Sequence, residues 1–246
     1  MNQLTLTHKK INNGKEFSNY TPMTEEEMKT QIIEILQDEN YKKGQIKKDM
    51  VIIDCGANIG LASLYFKDYA KTIYALEPSK KYYEALVKNV AQYPHIKTFN
   101  IGLANRPGKD ILRSNDKGDI PVSFWGNGQI KEPVDLTTLD IFMEEQEIEH
   151  VDLFKIDTEG AEYLILPSKG FSNVASKIDY IIGESHYINP QLVPEFIPLI
   201  LKEYGFKTEF LPINNMFLEM SFEFEHENEV KRYKVNRQTL FFAQRI

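Results

Sequence analysis

Residues 51–60 read Val-Ile-Ile-Asp-Cys-Gly-Ala-Asn-Ile-Gly, and the reading of the whole chain starts from them. Val51, Ile52 and Ile53 are apolar and β-branched, too few for a helix, and read as a strand buried on both faces. Asp54 ends the run. Gly56 and Gly60 bracket a tight loop containing Ala57 and Asn58, and Leu61 to Tyr69 reads as the helix that leaves it. Strand, glycine loop and helix in that order make a nucleotide-binding turn. Glycine admits unusual backbone angles and close approach of a ligand. The loop N–H groups and the helix N-terminus favour polar or anionic groups.

A dinucleotide fingerprint would read G-x-G-x-x-G. This loop reads Gly56-Ala-Asn-Ile-Gly60 behind Asp54, so the middle glycine is missing, and no phosphate-gripping G-x-x-x-x-G-K-[ST] occurs. Asp54 repels a phosphate but suits a cation such as an amino acid's ammonium. Thr72 to Leu76 is a second apolar strand ending in Glu77. An acidic residue about 20 residues after the loop suits ribose hydroxyls. An amine-binding aspartate with a ribose-binding glutamate points to S-adenosylmethionine rather than NAD. The competing reading is a generic glycine turn followed by a solvated glutamate.

The chemistry-bearing cluster lies further on. Val151 to Ile156 reads as a fourth strand, followed by Asp157-Thr-Glu159-Gly-Ala-Glu162; Tyr180 to Gly183 reads as a fifth, followed by Glu184-Ser-His186. Ligands of open α/β sheets bind outside the carboxyl ends of the strands. If these strands are neighbours, Asp157, Glu159, Glu184 and His186 converge beside the cofactor. His186 is then the natural base, since an ordinary imidazole with a pKa of ~6.5 suits neutral pH. Asp157 or Glu184 could hold its tautomer or act as base instead. The same groups could bind a divalent ion, although nothing in the spacing demands one. The bland alternative makes Asp157 a helix cap and His186 a satisfied core histidine.

The remaining chain frames these motifs. Residues 1–20 read as a loose polar arm. Thr24 with Glu27 makes a capping box, and Met28, Ile32, Ile35 and Leu36 predict an amphipathic helix over 25–39, so 1–48 is an N-terminal arm and helical flank. Pro78-Ser79 opens a helix with Tyr83, Leu86, Val87 and Val90 as its core stripe. Thr98 to Leu103 reads as a third strand. Residues 104–135, rich in glycine and holding Phe124 and the only Trp, Trp125, read as a substrate loop. Leu136 to Gln146 reads as a helix with Asp140 in a structural role. Gln191 to Tyr204 reads as another helix. Phe206–Leu211 and Leu240–Ala243 read as a final strand pair, with Glu223 to Arg232 a solvated excursion between them.

With 246 residues the chain suits one α/β domain. A net charge of −7 speaks against a broad nucleic-acid surface, and one cysteine excludes an internal disulfide and a cysteine zinc cluster. Met1 to Lys10 is polar, and no run approaches the ~18–20 apolar residues of a membrane span. The expectation is a cytoplasmic protein without a transmembrane segment that acts on a small-molecule or saccharide acceptor; a homo-oligomer is compatible with this.

The chain also resembles a known family. The 51–60 string, Ala-Leu-Glu-Pro-Ser at 75–79, Thr-Leu-Asp at 138–140 and Leu-Phe-Lys-Ile-Asp-Thr-Glu-Gly-Ala-Glu at 153–162 are similar to motifs of the FkbM-type methyltransferases, over residues 41–186. The resemblance implies a three-layer, Rossmann-like class I methyltransferase with sheet order 3-2-1-4-5-7-6 and strand 7 antiparallel. It implies an acceptor oxygen on a sugar or natural product. N-methylation of a small amine and a catalytically silent cofactor-binding module are the alternatives. The cofactor set implied is Asp54, Gly56, Ala57, Asn58, Gly60, Glu77, Pro78, Ser79 and Asp157. Asn100, Ile101 and Gly102 are expected beside the adenine, and Tyr41 near the cofactor.

Overall fold

The computed structural model describes residues 5–10, 16–21, 46–114, 129–186, 188, 192–211, 219–226, 229–236 and 238–246. The predicted 25–39 helix, Tyr41, Phe124 and Trp125 lie outside the described residues. Within the stretch read as a loose arm, β1 (Thr5–Lys10) and β2 (Glu16–Thr21) pair antiparallel. The alternation of Leu4-Thr5-Leu6-Thr7 is too short, beside His8-Lys9-Lys10, to announce a strand.

A seven-stranded sheet organises the rest. Its first half runs β3 (Met50–Cys55), α1 (Leu61–Phe66), β4 (Ala70–Leu76), α2 (Lys80–Val90) and β5 (Ile96–Phe99). A three-stranded sheet follows, formed by β6 (Gly102–Leu103), β7 (Gly108–Ser114) and β8 (Ile130–Thr137), over a small core of Ala104, Leu112, Val134 and Leu136. Then come α3 (Leu139–Glu145), β9 (Val151–Ile156), α4 (Glu162–Ile165), α5 (Lys169–Val174) and β10 (Ile178–His186). The chain continues through α6 (Ile197–Lys202), β11 (Phe206–Leu211), the hairpin β12 (Glu219–His226) and β13 (Glu229–Asn236), and β14 (Gln238–Arg245).

The main sheet has the order β11-β14-β10-β9-β3-β4-β5. Numbered one to seven in chain order, these strands read 3-2-1-4-5-7-6 from the other edge. β14 is antiparallel to both β10 and β11, and the five strands from β10 to β5 are mutually parallel. This is the order and polarity that the family resemblance implies. β9 is buried at all six positions, as a central parallel strand flanked by two layers requires. Pleating sends Ile53 and Phe154 to a core with Phe142, Phe171 and Leu201 of α3, α5 and α6. Ile52 and Leu153 go to the other face, with Phe66 of α1 and Leu86 of α2. No helix among the described residues is long and apolar enough to cross a membrane.

Several boundaries differ from expectation. The third strand is broken at residues 100–101: β5 ends at Phe99 in the main sheet and β6 belongs to the smaller one. Leu136 and Thr137 close β8, and the helix starts only at Leu139. The helix read over 191–204 is a 3₁₀ turn at Pro194–Phe196 followed by the six residues of α6, because two prolines remove amide donors there. The expected excursion at 223–232 is part of the β12–β13 hairpin. β10 runs three residues beyond Gly183, since β14 pairs Ser185 with Thr239 and His186 with Gln238.

Candidate functional site at the carboxyl edge of the sheet

β4, β3, β9 and β10 are parallel neighbours, so Glu77, the 56–60 loop, Asp157 and the Glu184–His186 end gather along one edge. The loop leaves β3 through Gly56, at φ 78°, and enters α1 through Gly60, at φ 91°. A Cβ on Gly56 would stand 1.8 Å from the carbonyl oxygen of Asp157, so only glycine lets the loop lie against the end of β9. The amides of Gly56 and Ala57 both donate to Leu76 O, which ties the loop to the end of β4. Asn58, also left-handed at φ 52°, donates its amide to Glu77 Oε2 at 2.8 Å, while its own buried Oδ1 lacks a hydrogen-bond partner among the described residues.

Glu77 is only 7 % exposed, not the solvated group of the competing reading. Its second oxygen accepts from Ser79 N at 2.9 Å. Burial pushes its carboxyl up to about 7, against the pull of the Ser79 and Asn58 amides. Ser79 occupies the N-cap of α2, but its hydroxyl donates to Glu132 of β8 at 2.8 Å, and Glu132 also accepts from Lys80 N at 2.7 Å. Asn100 uses its amide nitrogen on the carbonyls of Glu77 and Pro78, both at 2.9 Å. Gly102 packs against Pro78 and Leu136, and Ile101 against the core below β4. The residues expected around the adenosine half therefore stand together.

Asp54 has no exposed surface. It accepts from Ser63 Oγ at 2.7 Å and pairs with Lys155 Nζ at 3.1 Å. Lys155, equally buried, also donates to Gly56 O at 2.8 Å and stands 3.7 Å from Asp157 Oδ2. The cation that Asp54 meets within the chain is thus Lys155, which the sequence reading passed over as part of a strand.

Asp157 caps no helix: α4 begins at Glu162, with Ala161 as its N-cap. Glu162 is fully buried and gathers the turn before it, accepting from Thr158 N, Thr158 Oγ1 and Gly160 N at 2.6–2.9 Å. Glu159 and Gly160 take left-handed angles in that turn. His186, 8 % exposed, is ringed by carboxylates. Its Nε2 lies 3.5 Å from Glu159 and 3.9 Å from both Asp157 and Glu184; its Nδ1 lies 3.5 Å from Glu162 Oε1. Burial alone would pull the imidazole down, but Glu159, Glu162 and Asp157 outweigh it and raise the ring well above its ordinary value. The expectation assumed an imidazole of ordinary basicity; these carboxylates raise it.

Fold and site together define a class I, Rossmann-like methyltransferase. Residues 54–208 match the methyltransferase FkbM domain, and the chain belongs to that family. Methyltransferase sdnD of Sordaria araneosa is 31% identical, over 54% of this chain and 65% of its own. Methyltransferase 1 of Beauveria bassiana is 28% identical, over 54% of this chain and 64% of its own. The chain thus spans a little under two thirds of the length of these relatives. Among solved structures, an rRNA methylase from Streptococcus thermophilus superposes with a TM-score of 0.50 at 8% identity, covering 87% of this chain and 96% of its own. SMU.1697c from Streptococcus mutans, solved in complex with SAH, does so with a TM-score of 0.50 at 10% identity, covering 86% and 97%. At such identities these two likenesses concern the fold alone.

The site fits S-adenosylmethionine. Among the described residues Asn58 Oδ1 is a buried acceptor with no donor, and Glu77 offers a recessed carboxylate beside it, which suits hydroxyls or an ammonium.

Proposed function

We propose that this chain transfers a methyl group from S-adenosylmethionine to an oxygen of a sugar, glycan or related small molecule. The observation that carries this reading is the division of the edge into two halves. Asn58, Glu77, Pro78 and Asn100 make an adenosine half; Asp157, Glu159, Glu184 and His186 make an acceptor half. The cofactor supplies an activated methyl, and displacement needs donor and acceptor in line. Glu77 accepts the ribose hydroxyls, and the glycine loop receives the methionine end. Asp54 contributes by fixing that loop through Ser63 and Lys155. On the other side, the acceptor's proton passes to the cluster formed by Asp157, Glu184 and His186.

The whole 1–246 stretch is read as one methyltransferase domain, in which residues 104–135 serve the acceptor and Tyr41 serves the cofactor. An acidic acceptor half argues against nucleic acid as the acceptor, because phosphates would be repelled. The same acidity supports a second reading, a small cationic amine as acceptor.

Calorimetry with S-adenosylmethionine, its demethylated product and NAD tests the cofactor. Label transfer to a panel of sugars, nucleotide sugars, glycolipids and amines tests the acceptor. Binding of the first two ligands without NAD, and label on a hydroxyl, is expected. Tight NAD binding with no adenosylmethionine signal would sink the reading, and label on amines alone would replace it with the second.

A further inference from the structure

His186 poses a problem in electrostatics. Glu162 Oε1 stands 3.5 Å from Nδ1, and Glu162 is itself held by three donors from the Thr158–Gly160 turn. That places the ring's N–H at Nδ1 and turns the Nε2 lone pair toward the oxygens of Asp157, Glu159 and Glu184. A lone pair facing three anionic oxygens is repulsive unless a positive charge lies between them. A proton on Nε2 would draw a carboxylate to about 2.7–2.9 Å. Here the oxygens stand off at 3.5–3.9 Å.

The spacing instead suits an ion. Bonds of about 2.1 Å separate neighbouring ligands by about 3 Å and opposite ones by about 4 Å. One donor atom each from Asp157, Glu184 and His186 lie within 4.8 Å of one another. A carboxylate behind the distal nitrogen of a ligating histidine is also the usual outer partner of metal-bound imidazole.

We infer that Asp157, Glu184 and Nε2 of His186 bind one divalent first-row transition ion, of the manganese type, with Glu162 orienting the histidine from behind. One imidazole with two carboxylates favours such an ion over calcium or magnesium. Lys155 neutralises the Oδ2 side of Asp157 and leaves Oδ1 toward His186. There the ion would hold an acceptor hydroxyl oxygen and ease loss of its proton. This inference rests on the methyltransferase reading for its role but not for its site. A second acidic group, His150, Asp152 and Asp179, already holds a cation, Lys47, 2.6 Å from Asp152.

The experiment uses the full chain, stripped with chelator and titrated with Mn²⁺ alone, without cofactor or acceptor. Paramagnetic resonance should count one bound Mn²⁺, and electron spin echo modulation should show one coupled imidazole nitrogen. His186→Gln should abolish that coupling, and Glu184→Gln should weaken binding at least tenfold. Glu162→Gln, folded by circular dichroism, should weaken it by about 10–100-fold. His150→Gln should change nothing. Absence of bound Mn²⁺, or binding whose nitrogen coupling survives His186→Gln, overturns the inference and leaves the proton as the charge at Nε2. Methyl transfer that persists in chelator without bound Mn²⁺ overturns the ion and keeps the methyltransferase reading. Bound Mn²⁺ with nitrogen coupling but no methyl transfer keeps the ion and removes its role.

Discussion

Replacing Glu77 with glutamine should push stability and cofactor affinity in opposite directions. The folded carboxyl sits at about 7 against an ordinary value of 4.5, because burial outweighs the two amides that donate to it. Between those values the folded chain keeps a proton that the unfolded chain has released. The stabilisation from Glu77 is therefore fully present below 4.5 and is lost as pH rises toward and through 7. By neutral pH the accumulated cost is about 3 kcal/mol. Glu77→Gln removes that cost but turns an amide NH₂ toward one of the donors, Asn58 N or Ser79 N, forfeiting a hydrogen bond worth about 1–1.5 kcal/mol. The variant should be more stable than the parent above pH 7 by about 1–2 kcal/mol, and less stable below roughly pH 5. Glutamine accepts one ribose hydroxyl where the carboxylate accepts two, so S-adenosylmethionine should bind about ten- to hundred-fold more weakly. In the parent, affinity should fall as pH drops below about 7, since the hydroxyls require the ionised form. Urea melts at pH 4.5 and 8 and calorimetry across that range measure all three effects. A variant that is less stable at pH 8, or that binds the cofactor as tightly as the parent, refutes the reasoning.

Two further substitutions probe the scaffold. Lys155→Met strands the fully buried Asp54 with only Ser63 as a described side-chain hydrogen-bond partner, and should cost about 3–5 kcal/mol in urea melts; a loss below about 1 kcal/mol would mean that the ion pair contributes little. Gly56→Ala places a methyl 1.8 Å from Asp157 O at a positive φ, so the loop must leave β9. Calorimetry should detect no cofactor binding, while a thermal melt falls by several degrees; wild-type affinity would show that the loop has room to shift.

The elements readable from sequence are those whose burial is symmetrical. β3 and β9 appear as apolar runs because helices cover both faces of a parallel sheet, and the glycine loop follows from its spacing. Strand order came from the family motifs and not from periodicity. What stayed hidden depends on partners distant along the chain. Ser185 and His186 read as loop because polar residues end the apolar run, yet pairing with β14 extends β10 through them. Glu132 meets Ser79 across 53 residues, and nothing local in Ile-Lys-Glu-Pro announces a role at the start of α2. Lys155 looks like an intruder in its strand until Asp54 and Asp157 are placed on either side of it. The basicity of His186 is set by Glu159, Glu162 and Asp157, and no one of them decides it.

β14 also bears on the order in which the molecule can be finished. It lies inside the sheet, wedged antiparallel between β10 and β11, yet its residues 238–245 are synthesised after the other six strands of that sheet. Leu240, Phe241 and Ala243 are buried there. Until they emerge from the ribosome, β10 and β11 face each other across an unfilled slot, each with an open row of backbone donors and acceptors. Such edges invite pairing with other chains. A nascent chain halted near residue 237 should therefore engage chaperones or aggregate, and addition of β14 should release it in one step.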